Sequence, residues 1–154
     1  MSLADGMSPV PLSEDFGRSW LRFDIDYNGS FFDVQETENG QLVAVGLRGN
    51  IFLANDDSQE WSKLQTCVTT SLNSIVHGKD NTIYITGNNG VLLSLDQTKV
   101  SVNEYYPPND EGCAMHISIK KLKNDLSDSI LNGLVINDAM LAVTASGIKQ
   151  IELK

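Results

Sequence analysis

Few residues of this 154-residue chain have the types and spacing that metal binding would require. Asp24, Asp26 and Asn28, followed by Gly29, imitate the start of a calcium loop, in which oxygen ligands take positions one, three and five and glycine takes position six. Position twelve holds Gln35, so the bidentate carboxylate of such a loop is missing. The segment is therefore predicted to be a strand followed by an Asn-Gly turn, and we predict no metal site.

Catalytic groups are also sparse. His77 and His116 have no cysteine or carboxylate at ligand spacing, and the sequence holds no Gly-x-Ser-x-Gly nucleophile motif. We expect both histidines to be isolated surface or edge residues. The sequence thus predicts a protein that is not an enzyme and that uses no cofactor.

The composition and the net charge limit the classes of partner that the chain is expected to bind. The chain is 41% hydrophobic and 20% charged, which is typical of a globular domain. Its net charge of −9 disfavours nucleic acid and anionic lipid, and the basic cluster Lys120, Lys121 and Lys123 is interpreted as a solvated strand end. No apolar stretch approaches the ~20 residues that span a bilayer, so we predict no membrane insertion. Residues 1–12 are predicted to form a disordered leader, and an extracytoplasmic location is favoured over a cytoplasmic one.

A short motif recurs along the chain. Residues 13–20 read Ser-x-Asp-x-Gly-x-Ser-Trp, and shorter copies follow at 54–61 and 94–98. The second copy begins 41 residues after the first, and the third begins 40 residues after the second. The aspartate can accept backbone N–H groups, the glycine can adopt an unusual φ and the tryptophan can pack between sheets. We therefore predict structural roles for Asp15, Gly17, Trp20, Asp56, Trp61 and Asp96.

The sequence between the motif copies repeats as well. Each unit reads as three short strands separated by turn residues such as Asn-Gly, and a fourth strand follows each motif. For the second unit this fourth strand is expected at 100–102. Four antiparallel strands about every 40 residues are the pattern of a β-propeller blade. The predicted units are 30–68, 72–106 and 130–153, the last closed with 13–26, and 107–128 is predicted to be an inserted hairpin.

These repeats resemble the bacterial neuraminidase repeat, also called the Asp-box. The Gly-x-x-Gly stretches at 46–51 and 87–91 resemble more particularly the photosystem II stability and assembly factor family, which includes many bacterial members. The resemblance covers 13–101 and 130–153. It implies an all-β propeller and a non-enzymatic assembly or scaffold protein that binds another protein.

About three blades are too few to close a ring, since sheet edges and faces would stay exposed. Two explanations are open: either the chain is an excerpt of a longer protein, or two copies join head to tail into a six-bladed ring, which would be a homodimer.

The loops between second and third strands are predicted to converge on one face, and we assign binding to Arg48, Asn88, Asn89 and Ser146. Arg48 is the strongest candidate because a turn does not require a guanidinium group. Two alternatives stay open. One is a lectin-like module that binds carbohydrate between blades near Trp20 and Trp61. The other is a fragment of a sialidase-like glycosidase, although Arg18 and Arg22 fall at the opposite end of their blade from the usual binding face.

Overall fold

The computed structural model describes residues 8–12, 21–25, 29–38, 40–55 and 61–153, and it describes side chains in 29–38, 40–54 and 61–153. Short three-residue 3₁₀ turns occupy Leu47–Gly49, Asn88–Gly90 and Gln97–Lys99, and no helix in the described ranges is long and apolar enough to cross a bilayer. The strands are β1 (Ser8–Leu12), β2 (Leu21–Ile25), β3 (Phe31–Glu36), β4 (Gln41–Gly46), β5 (Ile51–Asn55), β6 (Trp61–Leu64), β7 (Leu72–His77), β8 (Thr82–Gly87), β9 (Leu92–Asp96), β10 (Ile119–Lys121), β11 (Ile130–Ile136), β12 (Ala139–Thr144) and β13 (Gly147–Glu152).

Most of these strands form three antiparallel meanders. Sheet I contains β3 to β6, sheet II contains β7 to β10 and sheet III contains β11 to β13, each in chain order, while β1 and β2 pair separately. We name the strands of each sheet A to D in chain order, so that sheet III has strands A, B and C. The all-β prediction is therefore confirmed, with two sheets of four strands and one of three.

The three sheets share a local irregularity at the start of strand A. The pairing of strand A with strand B shifts register between Phe31 and Asp33, and the same shift occurs at the matching points of the other two sheets. A serine stands directly before each of these strands and a buried apolar residue begins it. The matching pairs are Ser30 with Phe31, Ser71 with Leu72, and Ser129 with Ile130. Three sheets that bulge at the same place are one repeated unit, because a bulge redirects a strand in a defined way.

The sheets stack face to face in the order of the chain. We call the face by which sheets I and II pack on the next sheet the forward face, and we use the same name for the equivalent face of sheet III. The opposite face of each sheet is the rear face. Between sheets I and II, Val43 and Ile51 of the first pack with Ile85 and Leu93 of the second. Between sheets II and III the core consists of Val76, Leu92, Ile130, Met140, Ala142 and Ile151, with Tyr84 beside it. Sheet II carries apolar residues on both of its faces because both faces are covered by neighbouring sheets.

Sheet I is covered on its rear face too. Phe31, Leu42, Ala44 and Phe52 are buried there, with Trp61 packed against them. The rings of Phe31 and Phe52 meet edge to face at a centroid distance of 5.9 Å. Strand β2 contacts β6, so the β1–β2 hairpin lies at this end of the stack.

Strand D of sheet II is not where the sequence analysis placed it. Residues 100–102 are not in a strand, and β10 takes the position instead, with Leu95 paired to Ile119. Gly49 and Gly90 are 41 residues apart, whereas Thr66 and Asn124 are 58 apart. The second unit therefore contains 17 additional residues between strands C and D. The expected hairpin at 107–128 corresponds to this insertion but also supplies strand D.

Two expectations for the N-terminal residues differ from the structure. Ser8–Leu12, expected within a disordered leader, forms β1, and Leu21–Ile25 pairs with it. The expected closure of 130–153 by 13–26 is thus replaced, in the described part of the chain, by the β1–β2 pair. Pro9 and Pro11 lie in the segment that was predicted to be the leader, and a strand with two prolines carries a weak sequence signal.

A disulfide joins the 17-residue insertion to the segment that links sheets I and II. Cys67 and Cys113 are bonded with a Cα–Cα distance of 5.8 Å, across a separation of 46 residues. The sequence left this pairing open. Nearby, the amide of His116 donates to the carbonyl of Gln65 at 3.0 Å, so the insertion is held at two points.

Breaking this disulfide should destabilise the protein. A cross-link across a loop of 46 residues contributes about 4 kcal/mol in the chain-entropy treatment. We expect the Cys67→Ser/Cys113→Ser variant, and the wild type in reductant, to lose a comparable part of the free energy of unfolding in urea titrations. The variant itself should not respond to reductant. Equal midpoints for oxidised and reduced wild type would contradict the assignment.

Candidate functional site

The candidate site is the set of loops that connect strands B and C, which we call the BC loops: Leu47–Gly49, Asn88–Gly90 and residues 145–146. A backbone hydrogen bond fixes each loop at the same point of its own sheet. The N–H of Leu47 donates to the carbonyl of Ser30 at 3.1 Å, and Asn88 and Ala145 donate to Ser71 and Ser129 at 3.0 and 3.1 Å. We call this bond the serine clasp. It places all three BC loops beside the start of strand A in their sheets.

The first two BC loops have the same backbone. Arg48 and Asn89 occupy their middle positions with φ of 60° and 57°, in the left-handed region, and a glycine of positive φ follows each. A Cβ at Gly49 would collide with the carbonyl of Val68, and one at Gly90 with that of Leu126. The segment leading to the next sheet therefore packs directly on the loop backbone, which explains the second glycine of the Gly-x-x-Gly pattern.

A second repeated contact supports these two loops. The hydroxyl of Thr66 donates to the carbonyl of Gly49 at 2.8 Å, and the amide of Asn124 donates to that of Gly90 at 2.9 Å. The same side chains accept backbone N–H groups two residues further on, from Val68 and Leu126. Threonine and asparagine thus perform one task at equivalent positions, which the sequence comparison did not detect because the insertion shifts them by 17 residues.

The four predicted binding residues differ in solvent exposure and in their hydrogen bonds. Arg48 and Asn89 are exposed. Asn88 is half-buried, and its Oδ1 accepts from Nδ2 of Asn73 at 3.0 Å, while the same Nδ2 also donates to the carbonyl of Ile130. Asn88 therefore helps to join sheets II and III. Ser146 is exposed, and its hydroxyl donates to a carboxylate oxygen of Asp128.

The structure brings these loops to one side of the stack. The loop of Arg48 contacts β7, the first strand of the next sheet, and the loop of Asn89 contacts β11 in the same way. Asp33 adds a link at this level, since its Oδ2 accepts from the N–H of Ile75 at 2.8 Å. Arg48, Asn89 and Ser146 therefore stand on successive sheets at equivalent loops.

The recurring motif has a structural role where it is described. Asp96 accepts the backbone N–H of Thr98 at 3.0 Å and its hydroxyl at 2.6 Å, capping the turn Gln97–Lys99. These bonds, led by the one from the Thr98 hydroxyl, lower the pKa of Asp96 below its ordinary value. Trp61 packs on the rear face of sheet I. The predictions for Asp15, Gly17, Trp20 and Asp56 lie outside the described residues.

His116 is the main residue that the sequence analysis misjudged. It is buried, not a surface histidine, and its ring lies edge to face on Tyr105 at 5.3 Å. Nε2 lies 2.6 Å from the carbonyl of Val102, so it is the protonated nitrogen, and Nδ1 accepts from the N–H of Ser118 at 3.1 Å. The side chain thus joins Val102 and Ser118 within the insertion. His77 is exposed, as expected.

Two further features bear on chemistry. The described residues contain no group of three or more histidine, cysteine or acidic side chains that could hold a metal. A groove of about 930 Å³ lies between sheets II and III and is lined by Asn89, Gly90, residues 121–126 and residues 150–152. Of the four predicted binding residues, Asn89 alone lines this groove.

Comparison with known proteins adds no assignment, because neither the protein-family models nor the curated proteins nor the solved structures contain a match to this chain.

The close packing of the BC loops can be tested with paired glycine substitutions. Gly112→Ala is the control, because Gly112 has a positive φ of 81° but no atom within 4 Å of the added Cβ. It should cost about 1 kcal/mol through backbone strain. Gly90→Ala should cost about 1–3 kcal/mol more, since the Leu126 backbone must move. Equal costs in urea titrations would contradict the packing.

The Asp96 cap can be tested through pH. Asp96→Ala should cost about 1 kcal/mol at pH 7, and Asp110→Ala, which removes an exposed acid from the insertion, serves as control. The folded-state pKa of Asp96 lies below the ordinary 3.8, so its contribution is present above pH 3.8 and is lost as the pH falls through the folded value. The stability difference from wild type should therefore shrink below pH 3.8. A difference that is constant with pH would argue against the cap.

Proposed function

We propose that this protein is a non-enzymatic scaffold that binds another protein through its BC loops, with Arg48 as the central contact. The observation that carries the proposal is the conformation of Arg48. It is exposed and has a φ of 60°, whereas the equivalent position in the next loop holds Asn89. Asparagine tolerates the left-handed region and arginine gains nothing there. A residue kept at a conformational cost of about 1 kcal/mol is best explained by a role other than folding.

Arginine suits a docking surface for physical reasons. Its planar guanidinium group makes paired hydrogen bonds to carboxylates and stacks on aromatic rings, and arginine is enriched among the residues that dominate interface energies. The chain carries a net charge of −9, so an exposed arginine is a local exception on an acidic protein. We infer that the partner presents an acidic or aromatic group to the Arg48 loop.

The repeated, stacked sheets support a blade-like interpretation of the fold. In that interpretation the chain is a partial propeller that resembles the photosystem II assembly factor family, and the BC loops lie on its binding face. The paired cysteines favour an oxidising compartment, because disulfides are rare in reducing ones. We therefore favour an extracytoplasmic location for the scaffold.

Carbohydrate binding is the second candidate, and the groove between sheets II and III is the observation that favours it. Its lining offers polar side chains such as Asn89, Asp125 and Glu152, which could hydrogen-bond to sugar hydroxyls. Among the described residues no aromatic side chain lines this groove, and aromatic rings usually supply the apolar contacts of a ligand pocket. We therefore place protein binding first.

Arg48→Asn separates the two roles of this position. The substitution should raise the free energy of unfolding by up to about 1 kcal/mol, because asparagine fits a left-handed φ better. It should also weaken partner capture by roughly 30-fold if Arg48 contributes about 2 kcal/mol to the interface. The measurements are a urea titration and quantitative mass spectrometry of proteins captured from extracts of the source cells.

Lys63→Asn is the matched control, since Lys63 is an exposed base on β6 outside the BC loops. It should leave both stability and capture near wild type. If every captured protein is retained equally by wild type and Arg48→Asn, protein docking through this loop is wrong. A glycan array that gives a signal sensitive to Asp125→Ala, and no captured protein, would support carbohydrate binding instead.

A further inference from the structure

The β1–β2 pair has the register of strands C and D in sheet I. Pro11 pairs with Arg22, and Phe52 pairs with Lys63, each 41 residues further along the chain. The neighbouring pairs repeat with the same offset, since Val10 with Phe23 corresponds to Ile51 with Leu64. The hairpin is therefore the C–D half of a sheet, placed before sheet I.

Strand β1 is poorly suited to the position of strand C in a sheet. It contains Pro9 and Pro11, which have no backbone N–H to donate to a ladder. The β1–β2 sheet also has two strands, and such a sheet is marginally stable by itself. β2 would therefore gain from pairing with a strand C that has a complete set of N–H groups and belongs to a larger sheet.

Sheet III is the converse case, with strands A, B and C and no described strand D. The groove of about 930 Å³ is lined by Gln150, Ile151 and Glu152 of β13 and by residues 121–126, and no described strand pairs with the outer edge of β13. In sheet II the equivalent edge of β9 is occupied by β10. The groove is thus the position that strand D occupies in the other two sheets.

The forward face of sheet III is also uncovered. Leu134 and Ile148 are 60% and 72% exposed, whereas Val76 and Leu92, at the equivalent positions of sheet II, are 5% and 0% exposed. The remaining exposed apolar side chains of this sheet are Leu131, Ile136, Leu141 and Val143. A contiguous apolar face of this kind indicates an interaction surface. Its chemistry matches the face by which sheet II packs on sheet III.

We propose that sheet III docks on the N-terminal end of a second copy of this chain, where its strand β13 replaces β1 as the partner of β2. In the ladder Arg22 would then pair with Lys149 of the other copy, because Lys149 takes the place in sheet III that Phe52 and Leu93 take in sheets I and II. The forward face of sheet III would then cover the rear face of sheet I in place of the displaced β1, in the order that sheets I, II and III already follow. The exchange is reciprocal, so two chains close into one assembly.

The geometry favours a second copy over the same chain. β2 contacts β6 of sheet I, at one end of the stack, and β13 belongs to sheet III at the other end. Sheet II lies between them, packed on both neighbours. The β2 of a second copy reaches the free edge of β13 without any change in this stack.

Cross-linking between two single-cysteine variants tests the exchange. Arg22→Cys and Lys149→Cys proteins are mixed, equilibrated and oxidised, and the products are separated without reductant. The native cysteines are bonded to each other, so the new thiols report the contact. We expect a cross-linked dimer in the mixture and little in either variant alone. Lys120→Cys mixed with Arg22→Cys is the matched control, because Lys120 is an exposed base on β10.

A second variant keeps the proposal testable if the first pair folds poorly. Pro11→Cys/Arg22→Cys should lock β1 to β2 within one chain when oxidised, since these residues are paired. We expect wild type to have twice the chain mass of 16.9 kDa by light scattering and the locked protein to have the mass of one chain. Reduction of the lock should restore the dimer. A monomeric wild type, a locked variant that still dimerises, an open series of larger species, or equal cross-linking in the control mixture would each overturn the proposal.

Discussion

The serine clasp is the interaction on which the rest of the structure depends. In each sheet it joins the loop after strand B to the residue before strand A, at 3.0–3.1 Å. This bond lies at the open end of the A–B hairpin, next to the bulge. Strand A therefore begins its pairing with strand B at a fixed point. Since the linking segment from one sheet runs into strand A of the next, this point also sets where the following sheet begins. Loops such as Leu47–Gly49, whose Arg48 is exposed, therefore have defined positions although they lie outside the strands.

Stacking then follows from the faces that the strands present. Sheets I and II each offer apolar residues on both sides, so each can pack between two neighbours. The inserted residues of sheet II do not disturb this order, because the Cys67–Cys113 bond and the hydrogen bond from the backbone N–H of His116 to the carbonyl of Gln65 fix them against the link from sheet I. Function is proposed for the parts that packing leaves free, which are the exposed Arg48 loop and the uncovered edge and face of sheet III.

Much of this organisation is readable from the sequence, and the failures have physical reasons. The repeat and its Gly-x-x-Gly loops predict sheets I and II because bulges, left-handed positions and close contacts each demand particular residues. Strand D of sheet II was misplaced at 100–102 because Ile119–Lys121 follows a 17-residue insertion that breaks the repeat distance. The burial of His116 and the disulfide depend on contacts between segments far apart in the chain, which local patterns do not encode. The role of Asn88 in joining sheets was hidden for the same reason, whereas the exposure of Arg48 and Asn89 agrees with their prediction as loop residues.

Amide hydrogen exchange at the three clasp positions tests the central claim, which is that the sheets are one repeated unit held by the same bond. The N–H groups of Leu47, Asn88 and Ala145 lie in loops, where unprotected amides exchange rapidly. The account predicts that all three exchange as slowly as amides within the adjoining strands, while the amide of exposed Asp110, in the insertion, exchanges faster. Rapid exchange at any of the three clasp amides, with the strands still protected, would contradict a common clasp and with it the equivalence of the three sheets.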